Sequence, residues 1–396
     1  MKQRKFPSGK AVVHGRQPPR FRQFLFALIA VALTVIACLG LAEIVLRFLP
    51  VQSGLRTQPV NAENPVFHFT PERDVTFSRG WNFDLVNRRR VNNAGWVNDQ
   101  HYRQQDETPL LAVIGDSYIE ALMVPYDKTL YGRLARSLAG RLRVYSFGAS
   151  GAALSQYLIW AGHAVREYGA NGVVINVVGN DFDESHISYN KGPGLWVYAP
   201  GSDGNLHLRL IEYRPAWLGS IVYDSSLVRY LFFNLQFGST WRQIRSFFFG
   251  SPALAAPRYA GNTAVDADPG RVGASLAAMD AMFRDLPAII GLPPDRVLFT
   301  LDGFRYPDAV AGGMTGTYFD LMRRAFRSKA ESLGYEVIDL DPHFFKHYAV
   351  YAQKFEYPPD GHWNEIGHAV VCKAVLASKL IVRLARTASQ AEGPKK

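Results

Sequence analysis

Cysteine is nearly missing from this 396-residue chain: there are two, Cys38 and Cys372. Cys38 lies inside a long apolar run and Cys372 in what reads as the last helix, so the two have no means of pairing. A disulfide framework and a cysteine-based zinc site are both excluded. A core of this size needs no covalent staple. Acidic residues are missing from residues 1–23, which hold Lys2, Arg4, Lys5, Lys10, Arg16, Arg20 and Arg22. That segment supplies seven of the ten net positive charges and leaves +3 for the rest of the chain. No basic stripe interleaved with aromatics remains, which excludes nucleic acid as an expected partner. Phosphate-binding glycine loops and the His-Glu-x-x-His metal pattern are missing too. His163, His343, His347 and His368 have no carboxylate at metal-ligand spacing and read as structural, so no metal site is expected. The Gly-x-Ser-x-Gly elbow is also missing, which argues against the α/β-hydrolase fold. There are no internal repeats.

What is present begins with Phe24–Ala42, nineteen residues without a charge. That is about the length a helix needs to cross a bilayer. The apolar character continues to Leu49 around Glu43 and Arg47, and Pro50 ends it. The expected organisation is a basic cytoplasmic segment (1–23), a membrane anchor (24–49) and an extracytoplasmic remainder, because positive charge before a span keeps the N-terminus inside. A cleaved signal would need a small-x-small site, and none ends the run cleanly. Val35-Ile36-Ala37-Cys38 fits a lipobox loosely, but the run continues past Cys38.

Residues 51–108 are polar, with short aromatic pieces, and read as a membrane-proximal extension carrying a few short strands. From Leu110 onward, apolar runs at 110–114, 142–147, 172–178, 296–301 and 335–340 alternate with helical patterns near 128–139, 154–168, 274–286, 317–333 and 364–386. That alternation predicts a parallel sheet of about five strands covered on both faces. In such sheets ligands bind beyond the carboxyl ends of the strands. Residues 183–270, rich in aromatics and glycine, break the alternation and are too long for an ordinary loop. They read as an insertion, either a lid or groove beside the site or an accessory helical subdomain. The main domain is expected to run over 109–387, with a flexible tail at 388–396.

Three short motifs carry the chemistry. Gly115-Asp116-Ser117 and Gly179-Asn180-Asp181 each follow an apolar run, and Asp360-Gly361-His362 opens the last predicted helix. A serine hydroxyl needs a general base within hydrogen-bond reach and a third group to orient that base. Ser117 is the candidate nucleophile, His362 the base and Asp360 its orienting partner. The tetrahedral intermediate needs preorganised donors for its oxyanion, each worth about 3 kcal/mol. The candidates are the Ser117 backbone N–H, that of a glycine in Ser146-Phe147-Gly148-Ala149-Ser150-Gly151, and the Asn180 side-chain amide. Glycine suits the second place because backbone there comes close to substrate.

With these motifs in this order, the chain resembles the SGNH (GDSL-like) hydrolase superfamily over about residues 108–385, with 183–270 outside the match. Gly115-Asp116-Ser117 looks like its first block and Ser146–Gly151 like its second, which makes Gly151 the oxyanion glycine. Gly179-Asn180-Asp181 looks like its third block and Asp360-Gly361-His362 like its last. Asn92-Asn93-Ala94-Gly95-Trp96 is similar to the lead-in of membrane-anchored bacterial members. One departure stands out: most of the superfamily has Asp three residues before the histidine, where this chain has Pro359. Asp360-Gly361-His362-Trp363 is closer to the Asp-x-His-Trp ending of the exopolysaccharide O-acetylation proteins. The resemblance implies a three-layer α/β/α flavodoxin-like sandwich and hydrolysis or transfer of small acyl groups, acetyl first among them, without a cofactor. The expected substrate is an acylated surface glycan or another ester. The expected partners are the membrane, through the N-terminal helix, and a membrane acyl-donor protein. A lysophospholipase-like lipid esterase and a non-catalytic assembly subunit are the other readings.

Overall fold

The computed structural model describes residues 20–104, 106–216, 219, 223–236, 259–260, 263–265, 269–309, 313–358 and 360–391. Two compact units divide at residues 49 and 50. Among its described residues the first contains one helix, Arg20–Arg47, about 42 Å long at 1.5 Å per residue. Its residues 21–47 are long and apolar enough to cross a bilayer, a property that a membrane anchor and a signal sequence share.

In the second unit the described strands are, in chain order, β1 (Arg73–Arg79), β2 (Leu85–Val91), β3 (Leu110–Gly115), β4 (Arg143–Gly148), β5 (Ala170–Val177), β6 (Trp196–Pro200), β7 (Leu206–Leu210), β8 (Tyr259–Ala260), β9 (Thr263–Ala264), β10 (Val297–Leu301), β11 (Glu336–Asp339), β12 (Glu356–Tyr357) and β13 (Asp360–Trp363). Five of them form the central sheet in the order β11-β10-β5-β3-β4, every neighbour parallel. Counted in chain order among themselves they read 2-1-3-4-5, the flavodoxin-like order, whose switch point lies beside the first strand. That first strand, β3, ends one residue before Asp116.

The sheet has two covered faces, and the side chains of β3 sort between them with a period of two. Leu110, Ala112 and Ile114 join one core with the helices Leu154–Tyr168, Pro269–Ile290 and Tyr318–Ser332. Leu111 and Val113 join the other, with the helices Leu130–Ser137, Asp341–Tyr351, Glu365–Leu376 and Lys379–Ala391. Every residue of β3 and β10 is buried, which is why these strands read as unbroken apolar runs.

Residues 51–108 lie on this domain rather than beside it. β1 and β2 form an antiparallel hairpin whose Val75 and Val91 join the first core, as do Trp96 and Tyr102. Phe77 packs with Ala121, Met123 and Val124 just past the nucleophile turn. Part of the 183–270 region forms a second hairpin, β6 and β7, and Tyr230–Asn234 is a π-helical turn. The Phe247-Phe248-Phe249 cluster and the tail beyond Ala391 lie outside the described residues.

Two expectations are corrected. The Asp360-Gly361-His362 triplet does not open a helix: it lies on β13, paired antiparallel with β12. The helix starts at Glu365 because the Asn364 side chain accepts from the Ile366 and Gly367 amides and satisfies two of the first-turn donors. The single helix expected over 364–386 is two, broken at Ala377–Ser378, where the Ser378 hydroxyl caps the second by accepting from Ile381 N. A further helix, Asp341–Tyr351, occupies a stretch to which the sequence pattern assigned no element, with Pro342 in its first turn.

Candidate active site

Gly115 ends β3 where the chain turns sharply into the short helix Ser117–Glu120. A Cβ at residue 115 would stand 2.4 Å from Ile119 Cγ1, so only glycine permits the turn. The Asp116 carboxylate caps that helix by accepting from Tyr118 N at 2.9 Å. This turn presents Ser117 at the carboxyl edge of the sheet. β13 brings the other two residues, Asp360 and His362, from 243 and 245 positions away. The Ser117 hydroxyl lies 2.7 Å from His362 Nε2. On the far side of the ring, Nδ1 donates to Asp360 Oδ1 in a short hydrogen bond, and the His362 backbone N–H donates to the same oxygen at 2.9 Å. With Nδ1 carrying the hydrogen, Nε2 is the acceptor for the serine proton, the tautomer that general-base work requires.

Asp360 has one partner that sequence reasoning missed. Arg79, the last residue of β1, donates to Asp360 Oδ2 at 3.0 Å. Burial by itself would raise the Asp360 pKa, but the hydrogen bonds and charge of His362 and the charge of Arg79 hold it below its ordinary value. The carboxylate therefore stays ionised beside the imidazole. Asp116 behaves differently: it is fully buried, and burial lifts its pKa against the bonds from Tyr118 and Ser117 and the charge of His362. Its Oδ2 lies 3.1 Å from the Ser117 hydroxyl. The single serine proton thus faces two acceptors, and the shorter contact is the one to His362.

The β13 segment is fixed from beneath. Arg305 donates from Nη1 to the Gly361 carbonyl at 2.7 Å and from Nη2 to the Tyr118 phenol at 2.5 Å. It is ion-paired with Asp302 at 2.7 Å, and Asp302 also accepts from Trp363 Nε1 at 3.2 Å.

The two further oxyanion candidates stand at the ends of the strands flanking β3. Gly151 follows β4 and adopts φ +82, while a Cβ there would meet nothing within 4 Å. The left-handed backbone is itself a reason for glycine at this position. The tight position is Gly148, where a Cβ would come within 2.9 Å of Glu120 N. Asn180 follows β5. Its amide donates to Glu184 Oε2 at 3.0 Å, which leaves a second N–H. Asp181 staples this turn, accepting from Val178 N and the Tyr157 phenol, both at 2.7 Å. Neither Gly151 nor Asn180 hydrogen-bonds to Ser117, and neither lines the adjoining cavity. Ser150, one residue before Gly151, does.

Glu120 and Glu184 were not singled out from sequence. Glu120 is buried, and its two oxygens accept from Ser150 N at 2.7 Å and Ser150 Oγ at 3.1 Å. Burial pushes its pKa up to about 7 against those bonds. Burial does the same to Glu184, also up to about 7. The only local signal for Glu120 was its place one turn after the nucleophile, and for Arg79 there was none. His368, one turn into the helix Glu365–Leu376, is buried, and its Nδ1 accepts from Leu130 N at 3.1 Å. Burial drives its pKa down to about 3, so it stays a neutral structural group. Among the described residues no cluster of three His, Cys, Asp or Glu side chains is placed to hold a metal.

A cavity of about 360 Å³ opens on Ser117, Asp360 and His362. Its remaining polar rim is Arg79, Glu120 and Ser150, and the rest is lined mainly by aromatic and aliphatic side chains from residues 52–77, 122–123 and 223–233.

No protein-family model and no curated protein sequence matches the chain. Solved structures do. An α/β-hydrolase enzyme, LAE5, from the metagenome of Lake Arreo is 16% identical over 68% of this chain and 94% of its own, with a TM-score of 0.37. A member of the lipolytic Gly-Asp-Ser-Leu family from Veillonella parvula is 13% identical over 68% and 97%, with a TM-score of 0.35. An acetyl xylan esterase, AlAXEase, is 12% identical over 68% and 98%, with a TM-score of 0.36.

Proposed function

We propose that this chain is a serine-dependent acyl-ester hydrolase of the SGNH type, acting through an acyl-serine. The observation that carries the reading is the relay from the Ser117 hydroxyl through His362, 2.7 Å away, to the ionised Asp360. His362 Nε2 takes the serine proton as Ser117 Oγ attacks the ester carbonyl. The resulting oxyanion is met by the Ser117 and Gly151 N–H groups and the Asn180 amide. The intermediate collapses, breaking the bond between the acyl carbon and the alkoxy oxygen. His362 returns the proton to the leaving alcohol. Water, deprotonated by the same imidazole, then attacks the acyl-serine, releasing the acid and restoring the Ser117 hydroxyl.

A sugar hydroxyl in place of water in the last step makes the same machinery an O-acyltransferase. The finer reading is a single-pass inner-membrane protein with its N-terminus cytoplasmic, acting outside on acylated glycan and served by a membrane acyl-donor protein. It is supported by the apolar N-terminal helix after a basic segment and by the Asp-x-His-Trp ending.

The test is labelling by a fluorophosphonate probe together with turnover of p-nitrophenyl acetate, wild type beside Ser117→Ala. Labelling and turnover in the first and neither in the second are expected. A folded wild type that does neither would sink the enzymatic reading and favour the non-catalytic assembly subunit.

A further inference from the structure

We infer that the cavity beside Ser117 is an acyl-chain pocket, and that the group carried on the serine is a medium-chain acyl of roughly six to ten carbons rather than acetyl. The inference rests on the acyl-serine reading above and concerns what that serine carries.

Size is the first ground. An acetyl group places one methyl beyond the reacting carbonyl. A dry protein cavity of about 150 Å³ takes up benzene, six carbons. The cavity here is about 360 Å³, far more than a methyl fills, even after its polar rim is left to the ester itself.

Lining is the second. Phe67 and Phe69 pack edge to face with ring centroids 5.3 Å apart. Phe77 and Met123 share a cluster on the other wall. Tyr223 and Phe233 close around Gly54, whose φ is +71 and where a Cβ would stand 2.9 Å from the Tyr223 ring and 3.2 Å from that of Phe233. Among the described residues away from the catalytic rim, only Gln52, Thr57 and the Tyr223 phenol bring polar side-chain atoms. A pyranose seated there would bury several hydroxyls with too few partners, a loss that hydrophobic contact does not offset. An alkyl chain needs no partners and gains from each buried methylene. The sugar or other alcohol of the ester is thereby assigned to the open side of Ser117.

Provenance is the third. None of these walls comes from the central sheet. They come from the 51–108 extension, from Leu122 and Met123 after the nucleophile turn, and from the described part of the 183–270 region. The segments outside the repeating βα pattern thus have a shared task, which is to set acyl length.

The experiment is a series of p-nitrophenyl esters from acetate to dodecanoate, with the full-length chain in phospholipid nanodiscs, beside Leu55→Trp, which fills the cavity from its 52–57 wall. Each methylene buried should raise kcat/KM by up to about fourfold. Octanoate should exceed acetate at least a hundredfold, with a fall beyond about ten carbons. Leu55→Trp should cut the octanoate-to-acetate ratio at least tenfold while Ser117 still takes the fluorophosphonate label, which shows the variant folded and the site intact. Because ester partitioning into the bilayer is the same for both proteins, a ratio unchanged in the variant overturns the pocket. So does a wild-type profile that is flat, falls from acetate, or rises less than a hundredfold. Failure of wild type to label or to turn over any ester overturns the serine reading itself, and so is distinct from failure of the pocket.

Discussion

Glu120→Gln should stabilise the protein, and by an amount that grows with pH. Glu120 is 4% exposed and its pKa is pushed from the ordinary 4.5 up to about 7 by burial. A carboxyl whose folded pKa is raised binds protons more tightly folded than unfolded. Folding is therefore favoured at low pH and loses free energy as pH rises from the unfolded pKa toward the folded one. With those two values the loss is under about 1 kcal/mol at pH 5 and about 3 kcal/mol at pH 8. Glutamine keeps the shape and one acceptor for the Ser150 donors and has no proton to lose. Its advantage over wild type should thus be about 2 to 3 kcal/mol larger at pH 8 than at pH 5. For a domain of this size that corresponds to about 4 °C in Tm. Differential scanning fluorimetry of both full-length proteins at the two pH values measures it. A Tm difference that is the same at both pH values, or larger at pH 5, would refute the claim that a buried, reluctantly ionised carboxyl lies beside the nucleophile.

Arg79→Ala should lower kcat/KM about tenfold and move its acid limb to higher pH. Asp360 is held ionised partly by that cation, so without it the carboxylate is lost earlier as pH falls; Arg79→Lys should restore part of the shift, which a merely structural role would not produce. Asn180→Ala should reduce kcat by about 10² to 10³ with KM little changed, as for loss of one oxyanion donor; an unchanged kcat would remove the Asn180 amide from the hole. Asp360→Asn should cost roughly 10³ to 10⁴ in kcat, read in the same ester assay, because every partner of that carboxylate is a donor and an amide cannot satisfy them all; a near-normal rate would reassign the orienting role.

The central sheet was legible because strands buried on both faces are continuous apolar runs, and Leu110–Ile114 and Val173–Val178 have no competing pattern. Ser117 and His362 were legible because a strand end and a late Asp-x-His each leave a local signature. Arg79 left none: β1 reads as a polar strand, and its last residue meets Asp360 across 281 positions. The β13 strand was misread as a helix start because Asp360 is itself a plausible cap, although Asn364, followed directly by a helical pattern, was the better one. The helix Asp341–Tyr351 carried a usable signal in Pro342, since proline favours a first helical turn. The alternation in Leu206-His207-Leu208-Arg209-Leu210 likewise announced a strand inside the supposed insertion.

Arg305 shows what the fold gives up to hold the catalytic segment. It is an arginine with 2% of its surface exposed, its backbone lies in the left-handed region at φ +66, and its charge is matched by the equally buried Asp302. A non-glycine residue in that region and an ion pair removed from water are each unfavourable or neutral for stability, so stability is a poor reason for keeping both at one position. The geometry supplies a better one. The guanidinium spans the Gly361 carbonyl at 2.7 Å and the Tyr118 phenol at 2.5 Å. Gly361 lies between the orienting acid and the base, and Tyr118 directly follows the nucleophile. A single rigid fork therefore ties the β13 segment to the Ser117 turn, two pieces of chain that meet only in the folded protein. A lysine, with a point charge on a flexible stem, could not hold both at once. Arg305 thus grips the segment carrying His362 and the turn carrying Ser117, whose Oγ lies 2.7 Å from His362 Nε2, while Arg79 holds Asp360. On this view the extension and the β10 end belong to the candidate site as much as Ser117, His362 and Asp360 do.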